Sequence, residues 1–211
     1  MRILFVCTGN ECRSPVAERL AVAAAERSLT GSPELVQVEL SSAGLNATAG
    51  RPMDSRSARA LQQLGGDAEG FHSRRFSSDL AEHADLVFTM SRDQRSAVLG
   101  RSPRNLRRTF TLAEAAGLSE RADLSGLALL PLEARAREFG RRLDAKRSSR
   151  KAGRRDDIAD PIGQRLAVHE AVAADIAAAL EPLAAVLFAS IRPRMPLVVR
   201  GEPRPVESPT G

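Results

Sequence analysis

Residues 6–15 read Val-Cys-Thr-Gly-Asn-Glu-Cys-Arg-Ser-Pro and follow directly on the apolar run Ile3-Leu4-Phe5. The run predicts a short buried strand, and the pattern that begins at Arg13 predicts a helix, so the residues between them form a tight loop. Such a loop points its backbone N–H groups and the positive end of the helix dipole at one spot. This stretch therefore predicts an anion cradle, in which Cys7 is a nucleophile facing a bound phosphate and Arg13 holds two phosphate oxygens.

Strand and helix patterns alternate along the rest of the chain. The predicted strands are residues 1–7, 35–41, 86–90 and 109–112, and the predicted helices are residues 15–28, 55–64, 91–99 and 163–188. Pro182 is expected to bend the last helix or split it in two. The alternation predicts an α/β fold, a single domain with a short parallel sheet of about four strands and helices on both faces. Ligands of such sheets bind beyond the carboxyl ends of the strands, where Cys7 falls.

The loop resembles the signature of the low-molecular-weight protein tyrosine phosphatases, Cys-x5-Arg-Ser close to the N-terminus. The resemblance is to the bacterial type, which includes phosphoarginine phosphatases, and it implies the phosphatase I-like fold. It also implies that the loop binds the phosphate through a set of residues between Cys7 and the first helix: Thr8, Gly9, Asn10, Glu11, Cys12 and Ser14. The alternative is a buried cysteine at the end of a strand, in a loop that only binds sulfate or phosphate.

The resemblance also implies a general acid, because a departing alkoxide needs a proton. The family carries an Asp-Pro pair for this purpose, and here Asp160-Pro161 precedes the last helical pattern. Asp160 is the candidate acid, and Asp156 or Asp157 would serve if the loop were displaced. The alternative is an aspartate that only caps the helix.

Two supporting residues follow from the same resemblance. Ser42, in the string Ser41-Ser42-Ala43-Gly44, would hydrogen-bond Asn10 and help to hold the loop. His72, in Phe71-His-Ser-Arg-Arg-Phe76, would join that network, although a lone histidine is equally often a structural group.

The implied activity is that of a cysteine-dependent phosphatase, acting on protein phosphotyrosine or phosphoarginine through a cysteinyl-phosphate intermediate, with no metal and no cofactor. Three departures leave the substrate open, and one of them is the basic middle insertion, which would reshape the entrance of the pocket. Ile162 and Gly163 stand where the family's tyrosine phosphatases carry aromatic residues, and Glu11 places a carboxylate in the loop. Glu11 would oppose a dianion or favour a cationic leaving group such as a guanidinium, unless it points to solvent or pairs with an arginine. The alternative functions are a thiol-dependent arsenate reductase and a non-catalytic phosphate-binding regulator.

Composition bounds the partners and the setting. The net charge is +5, but the chain has no Trp or Tyr to stack on bases, so nucleic acid is an unlikely partner. No apolar run is long enough to cross a membrane, and no secretory signal is evident. The only two cysteines lie in one loop, which suits a reducing, cytoplasmic setting.

The expected domain covers residues 1–190 and includes a basic insertion at 118–156, followed by a Pro-rich and disordered tail at 191–211. Residues 134–155 carry ten basic side chains and two acidic ones. The favoured interpretation is a solvated helix with a mobile basic loop, whose apolar stripe is Leu132, Ala136, Phe139 and Leu143. The alternative is a surface that docks an acidic partner or steers phosphorylated substrate to the site.

Overall fold

The computed structural model describes residues 1–149 and 153–190. Within them, four parallel strands form one sheet in the order β2-β1-β3-β4. The strands are β1 (Arg2–Cys7), β2 (Glu39–Gly44), β3 (Leu86–Thr89) and β4 (Thr109–Thr111). The helices are α1 (Arg13–Leu29), α2 (Ser55–Gln63), α3 (Ser78–His83), α4 (Arg92–Arg101), α5 (Leu112–Ser119), α6 (Leu132–Lys146) and α7 (Leu166–Leu187). The predicted α/β fold with a short parallel sheet is confirmed.

Both faces of the sheet are covered, because β1 alternates its apolar side chains between two cores. Ile3 and Phe5 join the larger core with α1, α2, α5, α6 and α7. Leu4 and Val6 join the smaller core with α3 and α4. A central strand buried on both faces reads as a continuous apolar run, as β1 does. Among the described residues, no helix is both long enough and apolar enough to cross a bilayer.

The second strand lies further along the chain than predicted. Residues 35–41 were expected to form it, but Leu35–Gln37 form a short 3-10 helix and β2 spans Glu39–Gly44. Val36 is 90% exposed, so the apolar run that suggested a strand does not enter the sheet as one. The pairing of β1 with β2 sets the register, with Cys7 opposite Gly44. This register brings the end of β2 beside the loop that follows Cys7.

The last helix is not split at Pro182. α7 continues from Leu166 to Leu187 with Pro182 inside it. Leu180, Leu183 and Leu187 are buried on either side of the proline. Packing of this apolar face outweighs the one backbone hydrogen bond that the proline cannot donate.

The predicted apolar stripe of α6 is confirmed, and the solvated part of the helix is limited to the opposite face. Leu132, Ala136, Phe139 and Leu143 are all buried and belong to the larger core. α6 therefore packs as part of the same core as the sheet, and only its opposite face is exposed.

Many of the basic side chains of residues 134–155 are bound to internal partners. Arg141 and Arg142 both pair with Glu138, which holds the pKa of Glu138 at about 2 through their hydrogen bonds. Arg147 lies 4.0 Å over the Phe110 ring and pairs with Glu114. These contacts leave less free positive charge than the composition suggested. Docking of an acidic partner stays a prediction, and its residues Arg150 and Lys151, like the 191–211 tail, lie outside the described residues.

Arg135 is the most deeply buried of these basic residues and has the largest fully buried side chain among the described residues. Its side chain is 1% exposed and satisfies carbonyl groups near the end of α7 and in the segment before α6. Nη1 donates to Leu187 (3.0 Å) and Ala189 (2.7 Å), and Nη2 donates to Ala128 (2.8 Å) and Leu130 (3.1 Å). One guanidinium thus joins three parts of the fold.

Replacing Arg135 by Leu should lower the free energy of unfolding by about 3 kcal/mol or more, because one buried and three partly buried carbonyls lose a charged donor. Urea denaturation of the two proteins measures the difference. Arg137→Leu on the exposed face of α6 is the matched control and should change stability much less, since the Arg137 side chain is 66% exposed and Asp85 keeps the hydrogen bond that it accepts from the Arg2 backbone N–H. Equal effects of the two substitutions would contradict the assigned role of Arg135.

Candidate active site

The loop after β1 curls around the sulfur of Cys7. The Asn10 backbone N–H donates to Cys7 Sγ at 3.2 Å, and the Ser14 hydroxyl donates to the same sulfur at 3.0 Å. Cys7 is 2% exposed, and it ends the central strand where α1 begins six residues later. Two hydrogen-bond donors thus converge on the sulfur at the end of the central strand.

Asn10 holds the shape of this loop. Its φ of 56° lies in the left-handed region, which a residue other than glycine adopts only where other contacts fix it. Its side-chain amide donates to Ser14 Oγ (3.0 Å) and to Ser42 Oγ (2.8 Å), and its oxygen accepts from the Arg74 backbone N–H (2.8 Å). The predicted contact between Ser42 and Asn10 is present.

The predicted place of His72 in this network is wrong. Its side chain is exposed, and within residues 1–149 and 153–190 it makes no hydrogen bond to the network. Arg74, two residues later, takes that position through its backbone N–H and through Nε, which donates to the Ser42 carbonyl at 2.6 Å. In an irregular segment, sequence spacing does not determine the direction of each side chain. The sequence pattern therefore indicated a residue two positions before the one that joins the network.

Glu18 completes the network from α1. Its carboxylate accepts a hydrogen bond from Ser42 Oγ at 2.5 Å. Burial raises the pKa of Glu18 above its usual value, although the hydrogen bond from Ser42 works in the opposite direction. Glu18 follows Ser14 by four residues, so both lie on one face of the helix, and this spacing was the sequence signal for it.

Gly44 lets the end of β2 approach the loop. A Cβ at this position would lie 2.7 Å from the Thr8 carbonyl oxygen and 2.8 Å from the Asn10 nitrogen. Only glycine fits such an approach without moving backbone. The Ser-Ala-Gly string therefore supplies both a hydroxyl and the space that the loop occupies.

Arg13 and Asp160 meet at the open side of the loop. The Arg13 side chain is 6% exposed; Nη1 donates to the Ile158 carbonyl at 3.2 Å, and Nη2 forms an ion pair with Asp160 Oδ2. The other carboxylate oxygen accepts from the Ile162 backbone N–H at 3.2 Å. The two candidates, 147 positions apart in the sequence, are thus in direct contact.

The other two candidate acids, Asp156 and Asp157, form hydrogen bonds with other groups and do not line the cavity above Cys7. Asp157 accepts from the backbone N–H, Nε and Nη2 of Arg92, and these hydrogen bonds hold the pKa of Asp157 below its usual value. Asp156 is buried and accepts from the Gly153 backbone N–H at 3.0 Å. Asp160 is the one of the three that borders the cavity above Cys7.

That cavity has a volume of about 170 Å³ and reaches the surface between the loop and the 158–163 segment. Its walls come from the loop and from the aspartate segment: Cys7, Thr8, Gly9, Glu11, Cys12, Arg13, Asp160 and Ile162. Ile162 is 52% exposed and supplies an apolar wall. Glu11 borders the cavity and also lies 3.8 Å from exposed Arg51, so its carboxylate is at the mouth and only loosely paired.

The second cysteine differs chemically from the first. Burial raises the pKa of Cys12 to about 12, despite a lowering effect of its hydrogen bond with Ser57. Cys12 is therefore a neutral thiol at physiological pH, while Cys7 carries the donors that a nucleophile needs.

Comparison with known proteins places this site in a family. The family model of the low molecular weight phosphotyrosine protein phosphatases matches residues 2–125. The chain is a member of that family. The resemblance inferred from the loop is confirmed, and the protein is a phosphatase of the low molecular weight protein-tyrosine-phosphatase type.

Its relatives within the low molecular weight phosphatases are named either protein-tyrosine-phosphatases or protein-arginine-phosphatases. A protein-arginine-phosphatase of Bacillus subtilis is 35% identical over 114 residues, which are 54% of this chain and 71% of the relative. The probable low molecular weight protein-tyrosine-phosphatase EpsP of Ralstonia solanacearum is 32% identical over 112 residues, 53% of this chain and 70% of the relative. A solved YwlE arginine phosphatase, a Cys-to-Ser mutant with a phosphorylated active-site serine, superposes with a TM-score of 0.62 at 25% identity and covers 87% of this chain and 93% of its own.

Proposed function

We propose that the protein hydrolyses phosphorylated protein side chains through a phosphate ester of Cys7. The observation that carries this proposal is the convergence of three groups on one cavity. Cys7 lies at its base with two hydrogen bonds to the sulfur, and Arg13 and Asp160 lie at its side. A nucleophile, a fixed cation and an acid in these positions suit phosphoryl transfer.

In the first step the Cys7 thiolate attacks phosphorus in line with the leaving atom, so that an S–P bond forms as the bond to the leaving oxygen or nitrogen breaks. The loop N–H groups and the Arg13 guanidinium hold the three equatorial oxygens, where charge is spread in the transition state. Protonated Asp160 gives its proton to the leaving atom.

In the second step Asp160, now ionised, takes a proton from water, and the water oxygen attacks phosphorus as the S–P bond breaks. Inorganic phosphate leaves and the Cys7 thiolate is restored. Ser14 Oγ, 3.0 Å from the sulfur, donates to the thiolate as it departs and makes it a better leaving group. Both steps use groups of this chain and water alone.

The ion pair between Arg13 and Asp160 couples binding to acid catalysis. Phosphate and the Asp160 carboxylate compete for Arg13 Nη2. A dianion that occupies both guanidinium nitrogens therefore turns Asp160 toward the leaving atom, while the Ile162 N–H keeps the carboxyl at the cavity edge.

Asp160→Asn should lower kcat/KM by roughly 10²- to 10³-fold on alkyl or amide-like phosphates, because the leaving atom departs without a proton. The loss should shrink on aryl phosphates whose leaving group is acidic. Phosphate release across a series of leaving groups measures this, and Asp157→Asn is the matched control because Asp157 is bound to Arg92 away from the cavity. A loss that is the same for every leaving group would exclude Asp160 as the acid.

The cavity mouth bears on the choice between phosphotyrosine and phosphoarginine. The Glu11 carboxylate borders the cavity, and the apolar wall is Ile162 in a chain that has no Tyr or Trp. A carboxylate at the mouth attracts a guanidinium and offers nothing to a phenyl ring. Phosphoarginine is therefore the second candidate substrate, and it is supported by the relatives that are named protein-arginine-phosphatases.

Matched phosphotyrosine and phosphoarginine peptides test both the activity and the preference. Glu11→Gln keeps the size of the side chain, and it should lower kcat/KM for phosphoarginine about 3- to 10-fold more than for phosphotyrosine, the range of a partly exposed ion pair. An equal effect on both peptides would remove Glu11 from substrate choice. Release of phosphate from neither peptide would favour arsenate reduction or a binding-only role.

A further inference from the structure

A second cluster of reactive side chains begins at Cys12, which lines the cavity above Cys7, and continues into α2 and α7. Cys12 precedes α1, Asp54 is the N-cap of α2, and His169 lies in the first turn of α7. One donor atom of each lies within 4.8 Å of the donor atoms of the other two. The proposed phosphatase mechanism uses none of these three side chains as a reacting group.

Burial makes this cluster unusual. His169 is 1% exposed and Cys12 is 5% exposed, while the Asp54 side chain is 19% exposed. His169 Nε2 has no hydrogen-bond partner among the described residues. Nδ1, the other ring nitrogen, is the one that faces Asp54, so the buried thiol, the imidazole and the carboxylate bring three metal-ligand atoms together.

The donor geometry fits a tetrahedral cation. His169 Nδ1 and Asp54 Oδ1 are 3.4 Å apart. Bond lengths of about 2.1 Å from zinc to nitrogen and oxygen place two such ligands about 3.4 Å apart at the tetrahedral angle. Cys12 Sγ lies within 4.8 Å of the other two donor atoms, and a zinc–sulfur bond of about 2.3 Å places it about 3.6 Å from them, so it has to move by roughly 1.2 Å at most.

The surroundings orient the ligands and provide access. Asp54 Oδ1 accepts from the backbone N–H groups of Arg56 and Ser57, which fix the carboxylate. Ser57 Oγ lies 2.8 Å from His169 Nδ1, and it gives up this contact when a cation takes the nitrogen. Cys12 also borders the cavity above Cys7, so an ion enters through that cavity and a water molecule has room to complete its coordination.

We propose that Cys12, Asp54 and His169 form a binding site for a thiophilic divalent cation of the zinc class. One thiolate, one imidazole and one carboxylate are ligands that zinc accepts and that magnesium and calcium do not favour together. Binding releases the Cys12 proton to solvent as the S–Zn bond forms.

Occupation of this site should inhibit the phosphatase. Cys12 directly precedes Arg13, and the Asp54 backbone N–H donates to the Glu11 carbonyl at 2.8 Å. A cation that draws Cys12 toward His169 therefore moves the part of the loop that carries Arg13. Displacements of about 1 Å at a reacting centre cost on the order of 10²-fold in rate.

Zinc titration of the Cys7→Ser protein by calorimetry tests the site, because this variant lacks the competing thiolate of Cys7. We expect one equivalent of Zn²⁺ to bind with a Kd in the micromolar range or tighter, and Co²⁺ to show a thiolate-to-metal charge-transfer band. In the same background, Cys12→Ser should abolish the band, and Asp54→Asn should weaken binding at least about 10-fold. Asn caps a helix as well as Asp does, so α2 is retained, and His83→Gln is the control at an exposed histidine.

Three results would overturn the proposal. These are no 1:1 binding of Zn²⁺ below about 100 μM, a cobalt complex without the thiolate band, or an affinity that Cys12→Ser leaves unchanged. Thermal melts of each variant show whether it is folded, so that a loss of zinc binding can be assigned to the site and not to unfolding. If wild-type activity is insensitive to Zn²⁺ while the Cys7→Ser protein binds one equivalent, the site stands and the inhibition does not.

Discussion

Cys7→Ser should lower phosphate release by about 10⁴-fold or more, comparable with the loss of the nucleophile in other covalent enzymes. A serine hydroxyl is hardly ionised at neutral pH and is a far weaker nucleophile than a cysteine sulfur, and the two hydrogen bonds to this position cannot make up that difference. Initial rates on the preferred phosphopeptide at saturating and limiting concentration give kcat and kcat/KM. Substrate should still bind, because Arg13 and the loop N–H groups are unchanged.

Cys12→Ser is the matched comparison for this prediction. Cys12 lines the same cavity, but its pKa of about 12 keeps it protonated, so its replacement should cost far less than that of Cys7. If the two substitutions reduced kcat equally, the assignment of the nucleophile to Cys7 would be wrong.

Arg13→Lys should lower kcat/KM by about 10³-fold, although it keeps the positive charge. Lysine is a point charge without the planar fork, so it cannot hold two phosphate oxygens together. It also cannot contact the Ile158 carbonyl and Asp160 at the same time, and the acid loses its present anchor. Steady-state kinetics should show a fall in kcat as well as a rise in KM, because the contacts strengthen in the transition state.

Arg27→Lys is the control for Arg13→Lys. Arg27 lies in the last turn of the same helix, is exposed, and should tolerate lysine with no change in rate. A loss of less than about 10-fold for Arg13→Lys would show that charge alone is enough and that the fork does not act in the transition state.

The catalytic loop could be predicted from the sequence because its determinants are local. A strand, a loop of five residues and a helix follow one another within Arg2–Leu29, and their order alone brings Cys7 and Arg13 together. The prediction that Asp160 is the acid depended on the family pattern. Nothing in the sequence around Asp160 shows that it contacts Arg13, which lies 147 positions away.

Other parts of the site needed three-dimensional contacts. The Asn10 network uses Arg74 instead of His72, because the turn after Gly70 determines which side chain faces the loop. His169 gave no sequence signal beyond one histidine in a helix, and its contact with Ser57 spans 112 positions.

The basic segment shows where composition misleads. Ten positive charges in 22 residues left a docking surface open as the alternative interpretation, which stays a prediction, but Arg135 is buried and Arg147 packs on Phe110. Arginine can serve as an internal hydrogen-bond donor, and a count of charges does not distinguish that role from an exposed one.

Capture of the phosphorylated enzyme tests the central claim most directly. Wild-type protein mixed with a phosphopeptide and quenched in denaturant within milliseconds should carry one phosphate, which peptide mass spectrometry places on Cys7. Asp160→Asn should accumulate more of this species, if the second step slows more than the first. Turnover with no phosphate on Cys7 at any quench time, or with phosphate on another residue, would contradict the account.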